Sequence, residues 1–242
     1  MQAIEKMQTP VNLGEVLLPS KSQVSARQSN FICEICKIRF ADGLLGKICL
    51  VCQHKISFEK LPPEEQKKQL LVIVPERYIN AEIKDLKPDL QKAFAAENDT
   101  GILLWGEPGR GKTYAMCALV KKYMADGFLV RRVHYEELCF RLRDTFNPKA
   151  TQTEWGIIEP LLNCDKLFIE DVGTSKSLGS QESDFSLRTF IVLLDMRLER
   201  LRPTFITTNK SVENLGKSFD DRVGDRLRMF QVFKMSGDSL RK

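Results

Sequence analysis

GILLWGEPGRGKT, residues 101–113, is the stretch that decides the fold. An apolar run, Ile102–Trp105, enters a glycine-rich turn, and the turn enters Lys112 and Thr113. Gly106, Gly111, Lys112 and Thr113 stand at the spacing of a phosphate-binding loop between a strand and a helix. The chemistry needs these residue types. Glycines let backbone N–H groups turn inward around an anion. The helix that follows points its positive end at the same anion. Lys112 adds a cation at the outer phosphates, and Thr113 offers a hydroxyl to Mg2+. Glu107, Pro108, Gly109 and Arg110 complete the loop, and Tyr114 follows it. All of Gly106–Tyr114 are therefore nucleotide-binding candidates.

Downstream, KLFIEDVG ends an apolar run in Glu170 and Asp171. Acids there belong at the carboxyl edge of a parallel sheet, where ligands bind. Glu170 and Asp171 together are candidates for holding the metal's waters and activating the attacking water. A third run, PTFITTN, ends in Asn209. Two readings of Asn209 stay open: it orients the lytic water, or it starts a turn or caps the next helix.

From Glu76 onward, strand-like and helix-like stretches alternate, the pattern of an α/β fold with a central parallel sheet. Strands are expected at 102–105, 128–133, 167–169, 204–207 and 232–235. Helices are expected at 112–124, 136–144, 154–162 and 185–201. Upstream, residues 57–75 read as a linker helix that starts at the diproline Pro62-Pro63 and is closed by Pro75. Residues 1–30 are mostly polar and read as a flexible tail, or as a short segment that orders only on a partner.

Between tail and linker lies a module at 31–56. It holds Cys33-x-x-Cys36 and Cys49-x-x-Cys52, two pairs that read as knuckles completing one tetrahedral Zn2+ site. So short a segment buries little core, so the metal would supply most of its folding energy. Lys37, Arg39, Lys47 and Lys55 make the module basic, and Phe31 and Phe40 are aromatic. Contact with DNA and contact with a protein are both open. The remaining cysteines, Cys117, Cys139 and Cys164, sit in apolar contexts and read as core.

The net charge of +5 permits a nucleic-acid partner without requiring one. No apolar run approaches the length of a membrane span, and the N-terminus has no signal pattern. The sequence reads as cytoplasmic, with no membrane partner.

With these elements in place, residues 75–242 resemble the AAA+ ATPases of bacterial replicative helicase loaders, the DnaC/DnaI type, and their relatives, the IstB-type ATPases of insertion sequences. The segments that carry the resemblance are IVPERYINAEIKDL before the loop, GEPGRGKTYAMCAL as Walker A, LFIEDVG as Walker B, TTN as sensor 1, and DDRVGDRLRMFQVFKMSGDSLRK at the end. The resemblance implies ATP as the nucleotide. It implies catalytic roles for Lys112, Glu170, Asp171 and Asn209, with the magnesium falling to Glu170 and the attacking water to Asp171. It implies an arginine finger at Arg226 with Arg222 as a second candidate, and a sensor 2 arginine at Arg241. It also implies head-to-tail self-association, a hexameric helicase as partner and single-stranded DNA as substrate. Glu170-Asp171 departs from the commoner Asp-Glu order, and a methylene of carboxylate reach matters for chemistry, so slow hydrolysis is expected. HYEELCFRLRDTFNPK, residues 134–149, reads either as a single-strand contact through Arg141, Arg143, Lys149, Phe140 and Phe146, or as a plain amphipathic helix with Leu138 and Leu142 in the core. A transposition regulator and a non-hydrolysing, nucleotide-gated assembly factor are the alternatives to a loader.

Overall fold

The computed structural model describes residues 32–39, 41, 47–96, 100–173, 184–219 and 221–237. By its internal contacts the chain divides into two units, residues 1–49 and 50–242. The expected tail, together with Phe31, Phe40 and Arg241, lies outside the described residues.

The second unit carries helices α1 (Leu50–Glu59), α2 (Pro63–Leu71) and α3 (Pro88–Ala95), then strand β1 (Gly101–Trp105) and helix α4 (Lys112–Ala125). There follow β2 (Val130–His134), α5 (Tyr135–Asp144), α6 (Glu154–Asn163), β3 (Lys166–Glu170), α7 (Asp184–Glu199), β4 (Thr204–Thr208), α8 (Val212–Ser218), α9 (Asp221–Leu227) and β5 (Gln231–Lys234). The strands form one five-stranded sheet in the order β2-β3-β4-β1-β5, and each pairing is parallel. Strands and helices of the α/β part fall where the apolar runs put them, within a few residues. The linker differs. Its helix ends at Leu71, short of Pro75, and a separate helix, α1, precedes it.

A parallel sheet is covered on both faces, so its strands are apolar throughout. In β1, Ile102 and Leu104 pack with Phe94 of α3, with Ala115, Met116 and Leu119 of α4, and with Phe168 and Phe205 of neighbouring strands. Leu103 points the other way and joins Leu138 and Leu142 of α5, Leu161 and Leu162 of α6, and Phe190 and Leu194 of α7. The alternation is the period of two that any strand imposes. Phe168 and Phe205 stack at 4.6 Å across β3 and β4.

Caps fix where helices begin. The Thr153 hydroxyl accepts from the Gly156 N–H at 3.0 Å at the start of α6, and the Ser211 hydroxyl from the Asn214 N–H at 3.3 Å at α8. A fully buried guanidinium ties α7 to its neighbours. Arg197 donates to Leu161 O at 2.7 Å, Cys164 O at 3.0 Å, Pro203 O at 2.8 Å and Thr204 Oγ1 at 2.9 Å. A charged hydrogen bond contributes roughly 1.5–3 kcal/mol, so this residue locks the end of α6 and the start of β4 to α7. Nothing in its sequence context separates it from a surface arginine of a helix.

Candidate nucleotide site and cysteine cluster

The loop between β1 and α4 takes a shape that only some of its residues can adopt. Gly106 has φ 151°, and a Cβ there would lie 2.3 Å from the carbonyl oxygen of Met235. Gly111 has φ 79° and stands as the N-cap of α4 in the left-handed region. The backbone between them can therefore turn its N–H groups inward, the cradle an anion requires. Beside it is a cavity of about 290 Å³ lined by Gly109, Arg110, Gly111, Lys112, Thr113, Tyr114, Arg77, Tyr78, Asp171 and Asn209. Donor set and cradle fit a nucleotide triphosphate with its magnesium, for which Lys112 and Thr113 are the binding candidates.

Lys112 is buried. Its ammonium donates to Gly106 O at 2.6 Å, Glu107 O at 3.0 Å and the Asn209 Oδ1 at 2.6 Å. Loop lysine and β4 amide are thus in direct contact, although they lie 97 positions apart. Arg110 pairs with Glu107 and also donates to the Gly237 carbonyl, bridging the loop to the segment after β5. The guanidinium holds the Glu107 carboxyl below its usual range. The Tyr114 hydroxyl donates to Asp85 Oδ2 at 2.6 Å and accepts from the Glu82 N–H at 3.3 Å. That bond to a carboxylate, with burial behind it, raises the phenol pKa.

The two acids part company. Asp171 lines the cavity and has φ 58°, a left-handed conformation rare outside glycine, with its N–H donating to Thr207 Oγ1 at 3.0 Å. Glu170 is buried at the end of β3, and both its oxygens are taken by Arg132 of β2, at 2.8 and 3.0 Å. Arg226 is engaged as well. Its guanidinium grips Asp195 of α7 through both oxygens, the longer contact being 2.9 Å. Arg222 lies one turn earlier on α9 and offers its carbonyl to Arg226 at 3.2 Å. Arg132 and Asp195, the partners of two candidate catalytic residues, carry no local pattern in the sequence that marks them.

A family model described as IstB-like ATP binding protein matches residues 76–242. The chain belongs to this family. Among curated relatives, the replicative helicase loader DnaC of Escherichia coli (strain K12) is 27% identical over 132 residues, 54% of this chain and 51% of that protein. The chain thus spans about half the length of the curated relatives it matches. Among solved structures, a DnaC helicase loader aligns with TM-score 0.56 at 22% identity, covering 66% of this chain and 99% of that one. A DnaI structure aligns with TM-score 0.55 at 21% identity, covering 69% and 94%. The fold is that of an AAA+ ATP-binding domain.

The cysteine cluster lies outside the segment matched to the IstB-like family. Sγ atoms of Cys33, Cys36, Cys49 and Cys52 all lie within 4.8 Å of one another. Cys36 and Cys49 are 3.9 Å apart. A tetrahedral zinc with bonds of about 2.3 Å sets sulfur separations of about 3.8 Å, so the donor set fits Zn2+. The Cys49 N–H donates to Cys33 Sγ at 3.3 Å. That bond foremost holds the Cys33 thiol down at about 6, and the Arg39 N–H foremost lowers that of Cys36. Thiolates are the form a metal binds. By contrast, burial pushes Cys117 up to about 12 and raises Cys164 as well, which leaves them inert core residues. The second pair is not a free-standing knuckle: Cys52 sits in the first turn of α1.

Proposed function

We propose that the chain is an ATP-switched loader of a replicative hexameric helicase, which it helps place on single-stranded DNA. The observation that carries the reading is the convergence of Lys112, Asn209 and Asp171 on one cavity beneath the loop, in a chain whose relatives include DnaC loaders. Magnesium, when bound with ATP, would neutralise phosphate charge. The rest falls to this chain. Lys112 binds the outer phosphates, the loop N–H groups surround them, and Thr113 gives its hydroxyl to the metal. Asp171 accepts a proton from the attacking water, and Asn209, already bonded to Lys112, orients that water. Hydrolysis is slow, because the proton acceptor is the shorter Asp171 where a glutamate is commoner. Arg226 or Arg222 completes the site of the next copy in a head-to-tail assembly, and Arg241 contributes as sensor 2.

A second reading, an ATPase that regulates DNA transposition, draws on the IstB-like description of the family. One experiment separates them. Tagged protein is incubated with ATP and cell extract, and captured proteins are identified by mass spectrometry. A replicative helicase recovered with the parent and lost with Lys112→Ala, whose Mg-ATP binding should be abolished, supports the loader. Recovery of a transposase replaces it with the second reading, and equal ATP affinity in parent and variant overturns the nucleotide site itself.

A further inference from the structure

The carboxylate expected to serve the metal has a prior partner. β2 and β3 run parallel with His134 opposite Glu170 and Arg132 opposite Phe168, so Arg132 and Glu170 sit diagonally on one face of the sheet. The fork of Arg132 meets the carboxylate edge-on, Nε to Oε1 at 2.8 Å and Nη2 to Oε2 at 3.0 Å. Their side chains are 10% and 1% exposed, so this is a buried pair rather than a surface one. Such geometry fixes the rotamer of both residues, and the low-dielectric surroundings make the attraction strong. A carboxylate this deep without a cation would be costly, which explains why an arginine occupies the strand.

The pair lies on the sheet face covered by the helix that bears Thr113: Phe168, on that same face, shares a buried cluster with Cys117, one turn along α4. A metal held at Thr113 would find in Glu170 a carboxylate whose charge is already balanced and whose oxygens are already bonded. Asp171, by contrast, lines the phosphate cavity.

We propose that Arg132 is a positioning residue that competes with the nucleotide's magnesium for Glu170, and so sets how much Mg2+ the site requires. This rests on the nucleotide-site reading above. The guanidinium lowers the hold of Glu170 on the metal, and magnesium binding must loosen the pair. Arg132 then makes the site respond to Mg-nucleotide by a change in the β2–β3 edge, at a point where nucleotide alone would leave it closed.

The test is a magnesium titration of binding of a fluorescent ATP analogue to the full chain, parent against Arg132→Gln and Arg132→Lys, with thermal melting of each. Removing the competing charge should lower the half-saturating Mg2+ roughly three- to tenfold in Arg132→Gln. In Arg132→Lys, which keeps the charge and loses the fork, it should fall by a smaller factor, and affinity measured without Mg2+ should be unchanged in both. If Arg132→Gln does not fold, Arg132→Lys carries the test. A lower melting temperature with the parent's Mg2+ requirement reduces Arg132 to a structural residue and overturns the proposal. A parent that binds no analogue at any Mg2+ concentration overturns the nucleotide-site reading instead.

Discussion

The loop at Gly106–Thr113 and the cluster at Cys33–Cys52 are both binding sites of short sequence signature, yet they are built in opposite ways. The loop is held by its surroundings. β1 has both faces buried, α4 starts from a glycine cap, and Lys112 is fastened by two carbonyls and Asn209. The cysteine cluster has four thiols and little apolar cover, with Ile32, Ile35 and Ile38 all exposed. Its donors are close enough for a metal, and among the described residues little apolar packing holds them there. A phosphate loop is thus a product of the fold, whereas a four-thiol site of this size produces its own fold.

The largest expected effect breaks the comparison most directly. Purified under reducing conditions without chelator, the protein should carry about one zinc per chain. Apparent zinc binding in small structural sites is worth roughly 10–16 kcal/mol, far more than so small a segment could supply from packing. Chelation, or Cys33→Ser with Cys36→Ser, should therefore expose residues 31–56 to limited proteolysis. The melting of residues 76–242 and their ATP binding should stay unchanged. Metal analysis showing no zinc, or a nucleotide domain that melts together with the cluster, would erase the contrast.

The two sites also differ in how much of each was legible in the sequence. Gly106, Gly111, Lys112 and Thr113 are contiguous or nearly so, and so are the members of each cysteine pair. Local spacing alone brings such residues together. The strands were legible for the same reason, since each is a short apolar run. What could not be read were contacts between distant positions. Arg132 meets Glu170 across 38 positions and Arg226 meets Asp195 across 31. An arginine in a strand or an aspartate in a helix carries no local mark of its partner. The roles expected of Glu170 and Arg226 came from motif position, and the structure adds that each is already engaged. The apolar residues of α1 follow no single face, so the run after Cys49 reads as knuckle and linker rather than as a helix.

A middle-sized effect concerns which region touches DNA. Both carry positive charge: Lys37, Arg39 and Lys47 near the thiols, Arg141 and Arg143 on α5. Among the described residues, α5 shows basic side chains beside exposed rings. Leu138 and Leu142 are buried, Phe140 and Phe146 are exposed, and Arg143 lies 5.2 Å from the Phe140 ring centre. The helix is thus amphipathic in its core face and still presents aromatics outward, so the two readings of this stretch are compatible. Charge on the backbone with rings on the bases suits a single strand. Arg141→Ala with Arg143→Ala should weaken single-strand binding roughly tenfold at low salt and flatten its salt dependence. Fluorescence anisotropy with a labelled oligonucleotide reads both. Unchanged binding in this variant, with loss in Lys37→Ala/Arg39→Ala, would move the DNA contact to the cysteine segment.

The smallest effect tests whether the nucleotide site is complete within one chain, as the loop geometry alone would imply. A departing phosphoryl group needs positive charge beyond the loop lysine, and a guanidinium from a neighbouring copy is the expected source. Arg226 cannot act on a neighbour while it holds Asp195 through both carboxylate oxygens. The pair is partly exposed, at 29% and 33%, so water screens it and its contribution to stability is only about 0.2–1 kcal/mol. Assembly can therefore open it at little cost. Asp195→Asn keeps the shape and removes the charge, so melting should shift by no more than a few degrees. The released arginine should instead favour the head-to-tail contact, and half-maximal ATPase should move to roughly two- to fivefold lower protein concentration. Mixing Arg226→Ala with Lys112→Ala supplies the control: each is inactive alone, and the mixture regains activity because one interface can combine an intact loop with an intact arginine. Should the mixture stay silent, and the parent's rate per subunit hold constant down to clearly monomeric concentrations, the arginine does not act in trans. The Asp195 pair is then a link between α7 and α9 and nothing more.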